Sequence, residues 1–174
     1  GIVQFQLTMG LRRQGVTCFG RRERVGDFVS YRDTASFGKR QEYSVIAELL
    51  KRGFDVYMTL VDDQGIDCVV RLDNKRYLDI QIKARSKDAK QWNFFSMSFK
   101  PRKNLYFIFY TEKNDTFWTI PSARVKTLGR SNKTGNNIGR TSLNLPKLEA
   151  GEKTDKFEQF KNDDGFKLLN KFGK

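Results

Sequence analysis

Four side chains in this sequence combine types and spacing that suit chemistry on a phosphate ester: Glu42, Asp67, Gln81 and Lys83. Gln81 and Lys83 alternate with Ile80 and Ile82, so both point to one face of a strand, with Asp79 in line. Asp67 belongs to an earlier run, residues 66–72, whose other face carries Ile66, Cys68, Val70 and Leu72. Between the two runs, Asp73-Asn74-Lys75 is a hairpin-turn signal. With Leu72 opposite Arg76, Asp67 falls opposite Gln81, at the roughly 5 Å spacing of directly paired side chains. Lys83 follows on the same face. A slip of one residue would send these groups to opposite faces.

An acid, an amide oxygen and an ammonium on one face suit a hard cation and a phosphate. Magnesium takes oxygen ligands and keeps several waters. Asp67 can ligate directly, Gln81 can offer its carbonyl oxygen, and the backbone carbonyl of Ile82 can add another. Glu42 can hold a metal water. Lys83 can orient an attacking water or stabilise charge on the phosphate. Each residue also has a plainer reading. Glu42 lies at offsets of four, seven and eight from Ile46, Leu49 and Leu50. A carboxylate on that stripe is costly unless paired, but a helix start also favours glutamate through the dipole. Asp67, Gln81 and Lys83 could be polar positions on a solvated sheet face.

Composition narrows the chemistry. The chain has 174 residues, room for a single sizeable core. It has no histidine, which excludes serine–histidine triads and histidine metal sites. Its 33 lysines and arginines against 20 acidic residues give a formal charge of +13. Such a field draws polyanions, nucleic acid first among them. Two cysteines, Cys18 and Cys68, make neither a disulfide framework nor a four-cysteine zinc site. Cys68 reads as a buried strand residue, and a reduced, cytoplasmic protein is expected. No apolar run reaches the ~18 residues that would cross a bilayer.

The elements that must position these residues follow from periodicity. Residues 1–36 form a basic arm or a segment outside the domain proper, and residues 37–174 form a single domain. A helix is expected from about Ser36, its N-cap, through Arg52, with Gly53 ending it. Strands are expected over 54–60, 66–72, 77–84, 92–99, 105–110 and 117–120. Pro121-Ser122 opens a short helix to Leu128. Residues 129–140 form a glycine- and asparagine-rich loop, 152–162 a helix, and 165–174 a basic tail. The aromatic clusters around Trp92–Phe95 and Phe107–Tyr110 read as core or subunit interface. Arg85, Lys87 and Lys90 beyond the Gln81 strand, and Arg130, Lys133 and Arg140 at the later loop, are candidate nucleic-acid contacts, with Asn132, Asn136 and Asn137 beside them.

The pattern Glu42 … Gly65-Ile66-Asp67 … Asp79-Ile80-Gln81-Ile82-Lys83 resembles the PD-(D/E)XK nuclease superfamily, which includes restriction enzymes, archaeal Holliday-junction resolvases and some group I intron homing endonucleases. The resemblance spans residues 38–87 and extends through Pro121. It implies an α/β restriction-endonuclease-like fold with an αβββαβ core and a central mixed sheet flanked by helices. It matches Asp67 to the invariant aspartate, Lys83 to the lysine, and Glu42 to the helix acid of the resolvase-like branch. Gln81 stands where the pattern has Asp or Glu, a Q-x-K form similar to that of some homing-type members. The implied activity is Mg2+-dependent (or Mn2+-dependent) cutting of double-stranded DNA by a homo-oligomer, dimer or tetramer, of homing, restriction or junction-resolving type. Two other readings stay open: a non-catalytic nucleic-acid-binding module weakened at Gln81, and an assembly domain that meets an acidic protein.

Overall fold

The computed structural model describes residues 31–61, 64–135, 138–148 and 155–173. Residues 1–30, and with them most of the basic arm and Cys18, lie outside the described residues. So do Asp62, Asp63, Asn136 and Asn137.

Helix α1 spans Tyr31–Lys51, so it begins upstream of Ser36 and the expected boundary at residue 36 falls inside it. Ser36 and Gly38 are tolerated there because only proline removes a ladder donor, while glycine costs about 1 kcal/mol. The helix ends as expected: Gly53 adopts φ +80°, and the Gly53 and Phe54 N–H groups donate to the carbonyls of Leu50 and Leu49. Val45, Ile46 and Leu49 are buried, whereas Leu50 is 53 % exposed. The core-facing stripe therefore runs through Val45 and excludes Leu50, one step around the helix from Leu49.

Five strands make the central sheet, in the order β1-β2-β3-β5-β6. They are β1 (Asp55–Met58), β2 (Cys68–Arg71), β3 (Tyr77–Arg85), β5 (Leu105–Thr111) and β6 (Thr116–Pro121). β3 and β5 run parallel and the other neighbours antiparallel, so the sheet is mixed. Parallel neighbours need a long crossover, often a helix. Here residues 86–104 make it and contain strand β4 (Phe94–Met97), where an αβββαβ order puts a helix. The sequence explains the choice: Phe95 and Met97 alternate with outward residues and are buried, a period-2 pattern that a helix cannot bury on one side.

β4 belongs to a second sheet of three strands, order β4-β8-β7, with β7 (Arg130–Ser131) and β8 (Thr141–Asn144). The expected loop over 129–140 is thus the tip and one arm of a hairpin. Helix α2 spans Ser122–Leu128 as expected. At the C-terminus, the expected helix and tail are replaced by a short α3 (Asp155–Glu158) and an α4 over Asn162–Leu169. Phe166 and Leu169 are buried one turn apart, so this segment is a packed helix and not a tail. Gly165 is required there, because a Cβ would stand 2.1 Å from the Phe160 carbonyl oxygen.

Two apolar clusters follow. One joins α1 and α4 to the face formed by Cys68, Val70, Leu78, Ile80, Ile82 and Ile108. The other joins Phe107, Phe109, Trp118 and Ile120 on the opposite face to Phe95, Met97 and Leu143 of the second sheet. β5 is buried on both faces, as its continuous apolar sequence demands. Of the aromatic runs, Trp92, Phe95, Phe107 and Phe109 are buried core residues, while Phe94 and Tyr110 are partly exposed. Among the described residues, no helix is long and apolar enough to cross a membrane.

Candidate active site

The β2–β3 hairpin sets the site. Asp73 organises its turn by accepting hydrogen bonds at Oδ1 from the Lys75 and Arg76 N–H groups, both 2.9 Å, while Arg76 Nε donates to Oδ2 at 2.6 Å. The backbone donations of Lys75 and the guanidinium of Arg76 hold the Asp73 carboxyl below its ordinary value. Leu72 N–H donates to Arg76 O at 2.9 Å, and the ladder runs on with Cys68 opposite Ile80 and Val70 opposite Leu78. This is the register read from the sequence. At its far end the Asp67 N–H donates to Ile80 O at 2.9 Å.

There β2 leaves the ladder, and a side chain replaces its backbone. The Ile82 N–H donates to Asp67 Oδ2 at 2.6 Å. The carboxylate is thereby held between the two strands by a charge-assisted bond. The N–H and C=O of one strand residue point to the same side, so the Ile82 carbonyl also faces the gap that β2 has left. Thr59 supports the same corner: its Oγ1 lies 2.7 Å from Ile66 O and 3.2 Å from Asp67 O. Nothing in the sequence singled out Thr59.

Gln81 lies over Gly65. A Cβ at Gly65 would stand 2.4 Å from Gln81 Nε2, and Gly65 adopts φ +70°. Glycine is needed on both counts: left-handed backbone and close approach. Of the Gln81 amide atoms, Nε2 lies nearest the position of that Cβ and Oε1 farther off, at 3.6 Å. Lys83 is half-buried on the same face, in register with Phe109 of β5.

Glu42 reaches this end of the sheet from α1. It is half-buried and pairs with Lys39, one turn earlier. The hydrogen bond from Lys39 to Glu42 raises the ammonium's pKa, and the charge of Asp67 contributes as well. Burial pushes the Cys68 thiol up to about 12, with Asp67 and Glu42 adding to the shift. Both carboxylates thus act on the same two neighbours. Sequence reasoning named Glu42 but not Lys39, although the i,i+3 spacing was visible.

The remaining candidates divide. Asp79, in line with Gln81, turns to Arg102 at 3.2 Å and Asn104 at 3.1 Å, tying β3 to the turn before β5. Arg85 donates from Nε to Phe94 O at 3.0 Å and lies over the Phe95 ring, so it braces β4. Arg140 donates to Ser96 Oγ and Ser96 O at 3.1 and 2.8 Å, bracing the same strand. Lys87, Lys90, Arg130 and Lys133 are exposed.

The groups near this corner that could hold a metal are the Asp67 carboxylate, the Gln81 amide oxygen and the Ile82 carbonyl. Among the described residues no three carboxylate, cysteine or histidine groups gather to hold a metal. That set does not make a cage for zinc or calcium. It does suit magnesium, which is held through one or two carboxylates and keeps several waters.

No protein-family model matches the chain, and no curated protein matches it. Solved structures do. A bacterial homing endonuclease superimposes with a TM-score of 0.55 at 16 % identity, over 78 % of this chain and 90 % of that one. The chain has the restriction-endonuclease-like fold. The archaeal Holliday-junction resolvase Hjc of Archaeoglobus fulgidus also aligns, with a TM-score of 0.42 at 16 % identity over 62 % of this chain and 83 % of that one. Within the restriction-endonuclease-like fold, this chain replaces the crossover helix by a strand and builds a second sheet around it.

Proposed function

We propose that this protein is a divalent-metal-dependent DNA endonuclease whose active site is Asp67, Gln81 and Lys83, with Glu42 beside them. The observation that carries the reading is the Asp67 carboxylate held by the N–H of Ile82, the residue between Gln81 and Lys83 on β3. A solvated sheet face has no need of a carboxylate in place of a strand.

In this reading Asp67, the Gln81 amide oxygen and the Ile82 carbonyl would hold Mg2+ or Mn2+. The cation, when bound, supplies polarisation of a phosphoryl oxygen and a lowered water pKa. The chain's own groups do the rest. The Ile82 N–H fixes the carboxylate, and Thr59 fixes the backbone carbonyl of the same residue, before substrate arrives, so little reorganisation is needed at reaction. Lys83 donates to a non-bridging phosphate oxygen and offsets the charge that builds up there. Glu42 sets the position of Lys39, whose ammonium adds positive charge at the edge of the site. The net charge of +13 draws the duplex in. Cutting both strands takes two such sites, so the working form is a homo-oligomer acting on double-stranded DNA.

Gln81 favours a second reading. A neutral amide holds a dication less strongly than a carboxylate, and a binding module on the same fold would tolerate it. A cleavage assay separates the two. Linear, supercoiled and four-way-junction DNA would be incubated with Mg2+ or Mn2+ and the wild type or Lys83→Ala. The endonuclease reading expects cutting by the wild type alone, with duplex binding retained in the variant. Binding without cutting under either metal would favour the module.

A further inference from the structure

The second sheet turns one face to the core and the other to solvent. Phe95, Met97, Thr141 and Leu143 point inward and are buried. The outward face has two rows. In the first, Arg130 of β7, Ser142 of β8 and Ser96 of β4 lie side by side. In the second, Asn144 of β8 lies beside Phe94 of β4. A groove of about 660 Å³ crosses this face, reaching Asn132 on one side and Lys156 on the other. Among the described residues no acidic side chain lines it.

This face carries a guanidinium, a primary amide, a hydroxyl and an aromatic ring within two adjacent rows. Those groups match the edges of bases in the major groove. Arginine pairs with guanine O6 and N7, asparagine with adenine N6 and N7, serine with either, and an apolar ring with the thymine methyl. The rows also have the right pitch. Ser142 and Asn144 are two residues apart on a strand, roughly 7 Å, which is about two base steps at 3.4 Å each.

The side chains are also held or available as reading would require. Asn132 Nδ2 donates to Ser142 Oγ at 2.9 Å, which orients that hydroxyl. Arg140 grips Ser96 and fixes the β4 end of the first row, making it a positioning residue. Arg130 and Asn144 are exposed. Arg130, Lys133 and Lys156 have no ion pair among the described residues.

We infer that the outer face of the second sheet is a base-reading surface for duplex DNA, with Asn144 and Arg130 as the reading residues and Lys156 and Lys133 on the phosphates. It is separate from the cutting corner on β2 and β3, and it deepens the endonuclease reading, on which it rests.

The test is selection from a fully randomised duplex pool, using the full chain with Lys83→Ala to prevent cutting. The same selection is run with Asn144→Ala, Asn144→Asp or Arg130→Ala added, and circular dichroism checks the fold. The parent should enrich a motif. Asn144→Ala should erase the preference at one position, adenine in the parent, with discrimination there falling about tenfold or more. Arg130→Ala should do the same at a guanine. Asn144→Asp keeps the side chain's shape and removes its donor, so it should erase the same position. An unchanged motif in the folded variants would overturn the inference, as would a parent that selects no motif. So would a uniform loss of affinity across all positions, the behaviour of phosphate contacts. Those results leave the endonuclease reading intact if the wild type still cuts duplex and Lys83→Ala does not. A wild type that neither binds nor cuts duplex overturns both.

Discussion

The two sheets of this protein are supported differently. The five-stranded sheet has α1 and α4 on one face and the second sheet on the other, and its β5 is buried from both sides. The corner with Asp67, Gln81 and Lys83 is built on this doubly supported layer. The three-stranded sheet has a single buried face, short strands, and a polar outer face with arginine, asparagine and serine. A cutting site needs side chains held to a fraction of an ångström, which a packed sheet supplies. A surface that reads a partner needs only a firm back, and its outer residues can change without touching the core.

The largest expected effect tests that difference in support. Phe107 lies on β5 at the meeting of the two layers and is fully buried. Phe107→Ala should cost about 3–5 kcal/mol, whereas Asn144→Ala on the outer face should stay within about 0.5 kcal/mol. Urea unfolding of the two variants measures both. Similar losses would mean that the second sheet's outer face carries stability.

Gly65→Ala comes next. It places a side chain at φ +70° and against the Gln81 amide. The backbone strain should cost roughly 1–3 kcal/mol, seen as a lowered melting temperature. Displacement of Gln81 should lower cleavage more than duplex binding. A fully active Gly65→Ala protein would remove Gln81 from the site.

How much of this was legible in the sequence depends on how local the information is. The hairpin register was legible from the Asp73-Asn74-Lys75 turn and the alternation around Val70 and Ile80, and the ladder over Cys68–Arg71 and Tyr77–Ile80 follows it. It places Asp67 at the end of the ladder, where its carboxylate meets the Ile82 N–H. The start of α1 was not legible, since Ser36 is a good cap only if the chain before it is not helical. The second sheet was hidden for another reason. β7 and β8 are two and four residues long, and β8 pairs with β4 from more than 40 residues earlier in the chain, a tertiary choice with little local signal. The helical α4 was mistaken for a tail because Phe166 and Leu169 make only one turn's worth of pattern. The bonds of Arg85 and Arg140 to β4 had no local signal: a basic residue looks alike in sequence whether or not it meets a carbonyl of another strand.

Smaller effects sharpen the picture of the corner. Thr59→Val removes the hydroxyl beneath Asp67 and should cost about 1 kcal/mol, measured by denaturant unfolding. No loss would mean that the Ile82 N–H alone holds the corner. The smallest effect is a pH dependence at the hairpin turn. The Asp73 carboxyl titrates below its ordinary value in the folded state, so its contribution is present above about pH 4 and is lost as the pH falls through the folded value. The melting temperatures of wild type and Asp73→Asn should therefore converge on acidification. A constant gap would assign the difference to something other than this charge.

The central claim is that the corner of β2 and β3 cuts DNA, and the most direct measurement is duplex cleavage by wild type beside Lys83→Ala with Mg2+ or Mn2+ present. The account predicts cutting by the wild type, a loss of about 100-fold or more in Lys83→Ala, and similar duplex binding by both. Equal cleavage by the two proteins would contradict it.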